Sequence, residues 1–90
     1  MDFTLRQLEV FLAIAKAGNL TRGAQHLQMS QSAASGALKD LENQFGILLF
    51  DRTGKRLNLN EKGKQLRARA ESLMAQAYEL EQSLLHSEAV

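Results

Sequence analysis

The chain has 90 residues and a formal net charge of +1, which is enough length for one domain with a small core and too little charge to indicate a partner. It contains no cysteine, so disulfides and cysteine-based zinc or redox sites are excluded. No apolar run approaches the roughly 18–20 residues that cross a bilayer, and the N-terminus lacks the basic and apolar regions of a secretory signal. We therefore expect a cytoplasmic protein without a membrane partner.

The first helix is predicted to follow Thr4 and to run to about Ala17. Residues 4–7 read T-x-x-Q, a capping box in which each of the two side chains pairs with a backbone N–H of the first turn. Gly18 can take the left-handed conformation that ends a helix. The face that we expect to be buried consists of Leu5, Leu8, Phe11, Leu12 and Ala15.

A second and a third helix are predicted on either side of a short corner. The second covers about Thr21 to Gln28, and the corner ends at Ser30, whose hydroxyl can cap the third helix. The third helix then runs to about Phe45, before Gly46. Two helices joined by so short a corner must cross at a steep angle, as they do in a helix-turn-helix.

The third helix has two different faces. Its apolar stripe consists of Ala34, Leu38, Leu41 and Phe45. The opposite face is polar, begins with small residues and has no acid in its first turns; it consists of Gln31, Ser32, Ser35, Gly36, Lys39 and Asn43. Such a face suits a nucleic-acid groove, but it is also typical of an ordinary solvated surface, and this stretch alone leaves both interpretations open.

In residues 47–59, two short segments that contain apolar residues flank the sequence T-G-K. This pattern predicts a β-hairpin, with strands near Leu49–Arg52 and Arg56–Leu59 and with Gly54 in the turn. Two isolated strands are marginal, so the apolar residues of the hairpin should pack on the helices. Three basic side chains are presented there: Arg52, Lys55 and Arg56. A basic hairpin beside a helical corner is typical of a winged helix-turn-helix, whose wing touches phosphates or enters the minor groove. A solvated basic loop is the alternative.

A long last helix is predicted from its cap at Asn60 to about His86. A heptad seam runs along it, with apolar residues spaced alternately four and three apart: Leu66, Ala70, Leu73, Ala77, Leu80 and Leu84. A three-helix core cannot cover so long a stripe. Either a second copy of the chain covers it, or its first half packs on the core and a further C-terminal domain covers the rest.

Charge is distributed unevenly, and no catalytic group is identifiable. Residues 52–69 contain seven basic residues and one acid, whereas residues 70–90 contain four acids and no lysine or arginine. His26 and His86 lie far apart, without a second ligand at metal-binding spacing, and the serines of the third helix have no identifiable base. There is no glycine-rich phosphate loop. We therefore expect no enzyme activity, and no metal or cofactor in this chain.

Taken together, these motifs resemble the N-terminal DNA-binding domain of LysR-type transcriptional regulators over about residues 4–85. The matching segments are L-R-Q-L-E-x-F, S-Q-S-A-x-S, D-L-E-x-x-F-G, L-F-D-R and N-E-K-G. The resemblance implies a mainly α fold, with a winged helix-turn-helix (a three-helix core plus a β-hairpin wing) in residues 1–59 and a long dimerising linker helix in residues 60–90. It also implies a C-terminal domain, absent from this chain, that binds a small-molecule effector.

The resemblance further implies a homodimer, or a tetramer of the full-length protein, that binds double-stranded DNA sequence-specifically. The implied DNA contacts lie at the start of the third helix and in the wing: Ser30, Gln31, Ser32, Ser35, Gly36, Lys39, Arg52, Lys55 and Arg56. This chain departs from the family at two of them, because most members have proline at Ser32 and many have arginine or lysine at Gly36. The alternative function is a helical dimerisation or adaptor module that binds protein.

Overall fold

The computed structural model describes residues 1–86. The elements follow the order α1 Leu5–Ala17, α2 Leu20–His26, α3 Gln31–Phe45, β1 Phe50–Thr53, β2 Arg56–Leu59 and α4 Glu61–Leu85. Helix α1 packs against α2, α3 and α4, and the antiparallel hairpin of β1 and β2 lies against α1 and α4. The predicted three-helix core, hairpin and long last helix are confirmed. Within the described residues, no helix combines the length and the apolar character needed to cross a membrane.

Capping interactions set the ends of α1 where the sequence predicted them. Thr4 Oγ1 accepts a hydrogen bond from Gln7 N (3.0 Å), Thr4 N donates to Gln7 Oε1 (3.1 Å), and Gly18 ends the helix with φ of 78°. The predicted buried face is wrong at Leu5, which is 46% exposed. The core lies around the middle of α1, where three other helices meet it, so burial falls on Leu8, Val10, Phe11 and Ile14.

Helix α2 differs from the prediction at both ends. It starts at Leu20, one residue early, because Asn19 Oδ1 accepts a hydrogen bond from Arg22 N (2.7 Å) and caps it. It ends at His26, two residues early, because Gln28 has φ of 55° and cannot continue a right-handed helix. Asparagine is a preferred capping residue, so the missed start had a signal in the sequence.

Helix α3 begins after Ser30 and ends before Gly46, as predicted. Ser30 Oγ accepts a hydrogen bond from the backbone of the first turn, and Gly46 has φ of 63°. Ala34 and the two leucines of the apolar stripe are buried, but Phe45 is 55% exposed, so its prediction as a core residue is wrong. Phe45 lies in the last turn, where its ring contacts that of Phe3 at a centroid distance of 6.0 Å.

The hairpin starts one residue later than predicted because the backbone N–H of Leu49 is engaged elsewhere. Leu49 N donates to Glu42 Oε2 of α3 (2.8 Å), and the Leu49 carbonyl oxygen accepts from Asn60 N (3.1 Å). The ladder register would pair Leu49 with Asn60, but only one bond of that pair forms, because Leu49 N is diverted to Glu42 and the Asn60 carbonyl oxygen accepts from Lys64 N (2.9 Å). The strand therefore begins at Phe50. The two hydrogen bonds of Leu49 fasten the segment before the hairpin to α3 and to the start of α4.

The hairpin turns one face toward the helices. Its ladder pairs Phe50 with Leu59 and Arg52 with Leu57, and residues that oppose each other in antiparallel strands lie on the same face. Phe50 and Leu57 are buried, and Leu59 packs against the core. Leu57 N also donates to the carbonyl oxygen of Gly18 (2.8 Å). The hairpin is thereby attached to the C-terminus of α1, with Arg52 on its inner face.

Helix α4 is packed along its first half and exposed along its second. Gly63, Ala70 and Met74 are buried, whereas Leu80 is 62% exposed. The hydroxyl of Tyr78 donates to Glu9 of α1 (3.4 Å). The negative charge of that carboxylate raises the pKa of Tyr78, and burial adds to the effect.

The predicted dimer seam on α4 is reduced by this packing. Ala70 is 1% exposed in the core of its own chain, and Leu66 packs against the same core. A side chain that is already buried offers almost no surface to a second chain, so the seam prediction does not hold for Ala70. Of the other seam residues, Leu66 and Ala77 are half-buried and Leu73, Leu80 and Leu84 are exposed. Their contact with a partner stays a prediction.

We expect Gly63→Ala to lower the free energy of unfolding by about 1–3 kcal/mol, the usual cost of an overpacked core. A Cβ atom at Gly63 would overlap the carbonyl oxygen of Leu49 and would lie 2.8 Å from Leu59 Cδ2. Urea denaturation at a fixed protein concentration measures the effect.

Gly36→Ala is the matched control, because a Cβ atom at Gly36 would meet nothing within 4 Å. Alanine is the better helix former by about 1 kcal/mol, so this substitution should stabilise α3. A Gly63→Ala variant that is as stable as the wild-type chain, or more stable, would contradict the predicted overlap at Gly63.

Candidate nucleic-acid interface

The start of α3 presents a polar surface at the helical corner. Ser30 caps the helix, and its hydroxyl lies 3.4 Å from that of Ser32. Gln31, Ser35 and Lys39 follow at four-residue intervals and therefore lie on one side of the helix. Gln31 and Lys39 are exposed and Ser35 is half-buried, and the first turn contains no acid. The residues that the sequence predicted for base contact therefore share one accessible face.

Gln31 is held by a contact that the sequence did not reveal. The hydroxyl of Thr21, in the first turn of α2, donates to Gln31 Oε1 (3.2 Å). The contact joins residues ten positions apart. Periodicity within one helix cannot predict a contact between two helices. Only the predicted steep crossing of α2 and α3 indicated that their first turns lie close together. Thr21 is therefore an additional member of the candidate site.

Gly36 leaves a gap in this surface. It is exposed, and nothing lies within 4 Å of the position that a Cβ atom would take. The backbone of α3 is therefore uncovered there, one turn after Ser32. A ligand can approach the helix axis more closely at this point than at a position with a long side chain.

Arg52 brings the hairpin next to α3. Its position on the inner face of β1 places it between two short grooves. The first groove is lined in part by Ser35 and Lys39, and the second by Thr21, Gln31 and Lys55. The structure therefore brings the predicted wing residues Arg52 and Lys55 together with the predicted helix residues.

Arg56 points to a different place. Its guanidinium carbon lies 4.0 Å from where a Cβ atom of Gly18 would be. Gly18 caps the C-terminus of α1, where the helix macrodipole favours a positive charge. Arg56 therefore lies beside the C-terminus of α1, and the prediction that it contacts DNA stays a prediction.

Two acids near this surface, Glu42 and Asp51, are engaged or turned away. Glu42 lines the first groove, but its Oε2 accepts the hydrogen bond from Leu49 N. Asp51 opposes Asn58 in the ladder, on the other face of the hairpin from Arg52. The polar start of α3 is thus bordered by three cations, Lys39, Arg52 and Lys55. In residues 1–86 no cluster of three His, Cys, Asp or Glu side chains could hold a metal ion.

Comparison with known sequences places this arrangement in a family. The model of the bacterial regulatory helix-turn-helix proteins of the LysR family matches residues 5–64. The HTH-type transcriptional regulator YeiE of Escherichia coli K12 is 55% identical over 82 residues, which are 91% of this chain and 28% of YeiE. The RuBisCO operon transcriptional regulator of Allochromatium vinosum is 42% identical over 66 residues, which are 73% of this chain and 22% of the relative. The chain spans about a quarter of the length of these relatives.

Solved structures agree with this assignment. The CbnR DNA-binding domain in its DNA complex superposes with a TM-score of 0.86 at 26% identity, covering 94% of this chain and 98% of that one. The BenM DNA-binding domain in complex with catB site 1 DNA gives a TM-score of 0.90 at 22% identity, with 97% of each chain covered, and this likeness shows the fold alone. On the family match over residues 5–64, the chain belongs to the LysR family of bacterial regulatory helix-turn-helix proteins.

Proposed function

We propose that this chain is the DNA-binding part of a bacterial transcriptional regulator. It binds double-stranded DNA sequence-specifically as a dimer, with α3 in the major groove and the hairpin against the backbone or the minor groove. The observation that carries the proposal is the exposed, acid-free start of α3, bordered by Lys39, Arg52 and Lys55. The similar CbnR structure, which is a complex with DNA, supports it.

The dimensions of α3 suit this role. A helix with its side chains is about 10–12 Å across, and the major groove of B-DNA is about 12 Å wide. The small residues Ser32 and Gly36 keep one side of the helix narrow, while Gln31 and Ser35 supply donors and acceptors for base edges. Lys39 lies further along the helix, where a long cation reaches a phosphate.

The second half of α4 supports a dimer, and its charges favour an antiparallel one. Residues 61–69 of α4 contain one acid, Glu61, and four basic residues: Lys62, Lys64, Arg67 and Arg69. The rest of the helix, residues 70–85, contains no lysine or arginine and three acids: Glu71, Glu79 and Glu81. A parallel pair would set like charges beside each other. An antiparallel pair sets the basic half of one helix against the acidic half of the other, which is the more favourable arrangement.

The whole protein is proposed to be larger than this chain and to have no catalytic activity. Its relatives are about three times as long, since 82 residues of this chain cover 28% of YeiE. We assign to the remainder a domain that binds a small-molecule effector, and to residues 1–90 no metal or cofactor. A regulator of this kind acts in the cytoplasm, where bacterial DNA is found.

The test is selection of bound sequences from a random pool of duplex DNA, followed by mobility-shift titration at physiological salt with competitor DNA. The expected result is an enriched site of two half-sites related by a two-fold axis. An oligomeric protein that enriches no sequence, and that binds all duplexes as weakly as the competitor, would overturn the proposal in favour of a protein-binding adaptor module.

Lys55→Ala should weaken binding to all sequences alike, and should reduce the slope of log K against log salt by about 0.9, the value for one lost phosphate contact. Lys55 is exposed beside Gly54 in the hairpin turn, where it can reach the DNA backbone. Titrations at several salt concentrations measure the slope. Lys64→Ala removes the same charge from the first turn of α4 and should leave the slope nearly unchanged. An unaltered slope for Lys55→Ala would contradict the contact.

A further inference from the structure

We propose that Thr21 is a positioning residue for base recognition, which holds the amide of Gln31 in the orientation that reads a base pair. The inference rests on the proposed function and extends it to a residue outside α3. The observation is the hydrogen bond from Thr21 Oγ1 to Gln31 Oε1, at 3.2 Å. Both residues are exposed, so the pair lies on the surface that would face DNA.

The two ends of this hydrogen bond are fixed by separate caps. Asn19 caps α2 through the N–H of Arg22 (2.7 Å), and Ser30 caps α3 through the N–H of Ala33 (3.1 Å). The first turns of both helices are therefore ordered. Threonine is also restricted at χ1 by its branched Cβ, whereas glutamine has three rotatable side-chain bonds. The stiff Thr21 side chain, on an ordered turn, therefore restrains the flexible Gln31 side chain.

The surrounding charges determine which end of the amide faces Thr21. Arg52 and Lys55 line the same groove as Thr21 and Gln31, and both are hydrogen-bond donors without an acceptor. These two cations therefore attract the amide oxygen of Gln31 to the groove side and repel its NH₂ group from that side. The NH₂ group is therefore directed away from the groove, toward the open side of α3.

This orientation remains compatible with reading a base. An amide oxygen has two lone pairs, and Thr21 uses one of them. The second lone pair and the NH₂ group stay available for the N6 and N7 atoms of adenine, which need one acceptor and one donor. The hydrogen bond therefore orders Gln31 before DNA arrives without consuming its recognition groups, so less freedom is lost on binding.

The experiment compares Thr21→Val, which keeps the shape and removes the hydroxyl, with Thr21→Ser, which keeps the hydroxyl. The measured quantity is base preference at one base pair, the one at which Gln31→Ala is expected to lose preference. Base preference is the affinity for the selected site divided by the affinity for sites changed at that base pair. We expect Thr21→Val to lower this ratio about threefold to tenfold, the effect of one hydrogen bond, and Thr21→Ser to stay within about twofold of wild type.

A double-mutant cycle separates positioning from direct contact. In a Gln31→Ala background, Thr21→Val should leave base preference unchanged. If Thr21→Val instead weakened all sites alike in both backgrounds, Thr21 would be a backbone contact and the inference would be overturned. Unchanged preference for Thr21→Val in the wild-type background would overturn it too. Thr21→Ala serves as a second variant if the valine substitution disturbs folding, which thermal unfolding reports.

Failure of this inference can be distinguished from failure of the proposed function. If the wild-type chain selects no sequence, the proposed function is wrong. If it selects a site and Gln31→Ala relaxes one base pair of it, while Thr21→Val does not, the proposed function stands and only the role of Thr21 is rejected.

Discussion

Leu73→Glu combined with Leu80→Glu is expected to convert the proposed dimer into monomers. The two leucines lie seven residues apart on one side of α4 and are 39% and 62% exposed, so they remain on the surface of the single chain. A second chain that covered them would bury the carboxylates in an apolar seam, and taking a carboxylate out of water typically costs several kcal/mol. The neighbouring core residues Ala70 and Met74 are untouched, so the monomer should keep its fold.

The same double substitution should weaken DNA binding by about 10²–10⁴. When a dimer holds one half-site, the second recognition helix searches for the other half-site at an effective concentration in the millimolar range, and a monomer loses this gain. Sedimentation velocity measures the oligomeric state, and mobility-shift titration of the selected site measures the affinity.

The matched control introduces the same two charges on the opposite side of the helix. Ala75→Glu with Gln82→Glu has the same seven-residue spacing, and both residues are exposed. These positions are rotated by about half a turn from Leu73, at 3.6 residues per turn. The control should remain dimeric and should bind DNA nearly as tightly as the wild-type chain. A Leu73→Glu, Leu80→Glu variant that remains a dimer would exclude this seam as the interface.

Sequence reasoning predicted those parts of the fold that depend on neighbours along the chain. The capping box at Thr4, the cap at Ser30 and the left-handed glycines at Gly18 and Gly46 are local interactions, and each forms where it was predicted. The polar face of α3 follows from helical periodicity for the same reason. These signals positioned most of the candidate site before any tertiary contact was known.

The errors fall where a tertiary contact decides the outcome. Leu49 is outside the strand because Glu42 takes up its backbone N–H, and Ala70 leaves the dimer seam because α1 and α4 pack together. The contact of Thr21 with Gln31 depends on how α2 and α3 cross. Periodicity identifies an apolar face but cannot tell which neighbour covers it.

Gln31→Ala should cost about 1–3 kcal/mol on the selected site and relax preference at one base pair of each half-site. Gln31 is the first residue of α3 and is exposed, and in a helix-turn-helix the start of the second helix meets the base edges. Its amide offers a donor and an acceptor, as the major-groove edge of adenine requires. Ser35 has a single hydroxyl that donates or accepts, so we expect it to discriminate weakly.

Lys39→Ala is the comparison, because it removes a side chain from the same face of α3 two turns further along. A phosphate contact carries no sequence information, so this substitution should weaken all sites similarly and reduce the salt slope by about 0.9. Binding-site selection with the wild-type chain and both variants measures the difference. Because a dimer presents two copies of α3, relaxation caused by Gln31→Ala should occur at two positions related by the two-fold axis, about one helical turn or a multiple apart. An unchanged sequence preference together with wild-type affinity for Gln31→Ala would show that α3 does not read bases through this residue.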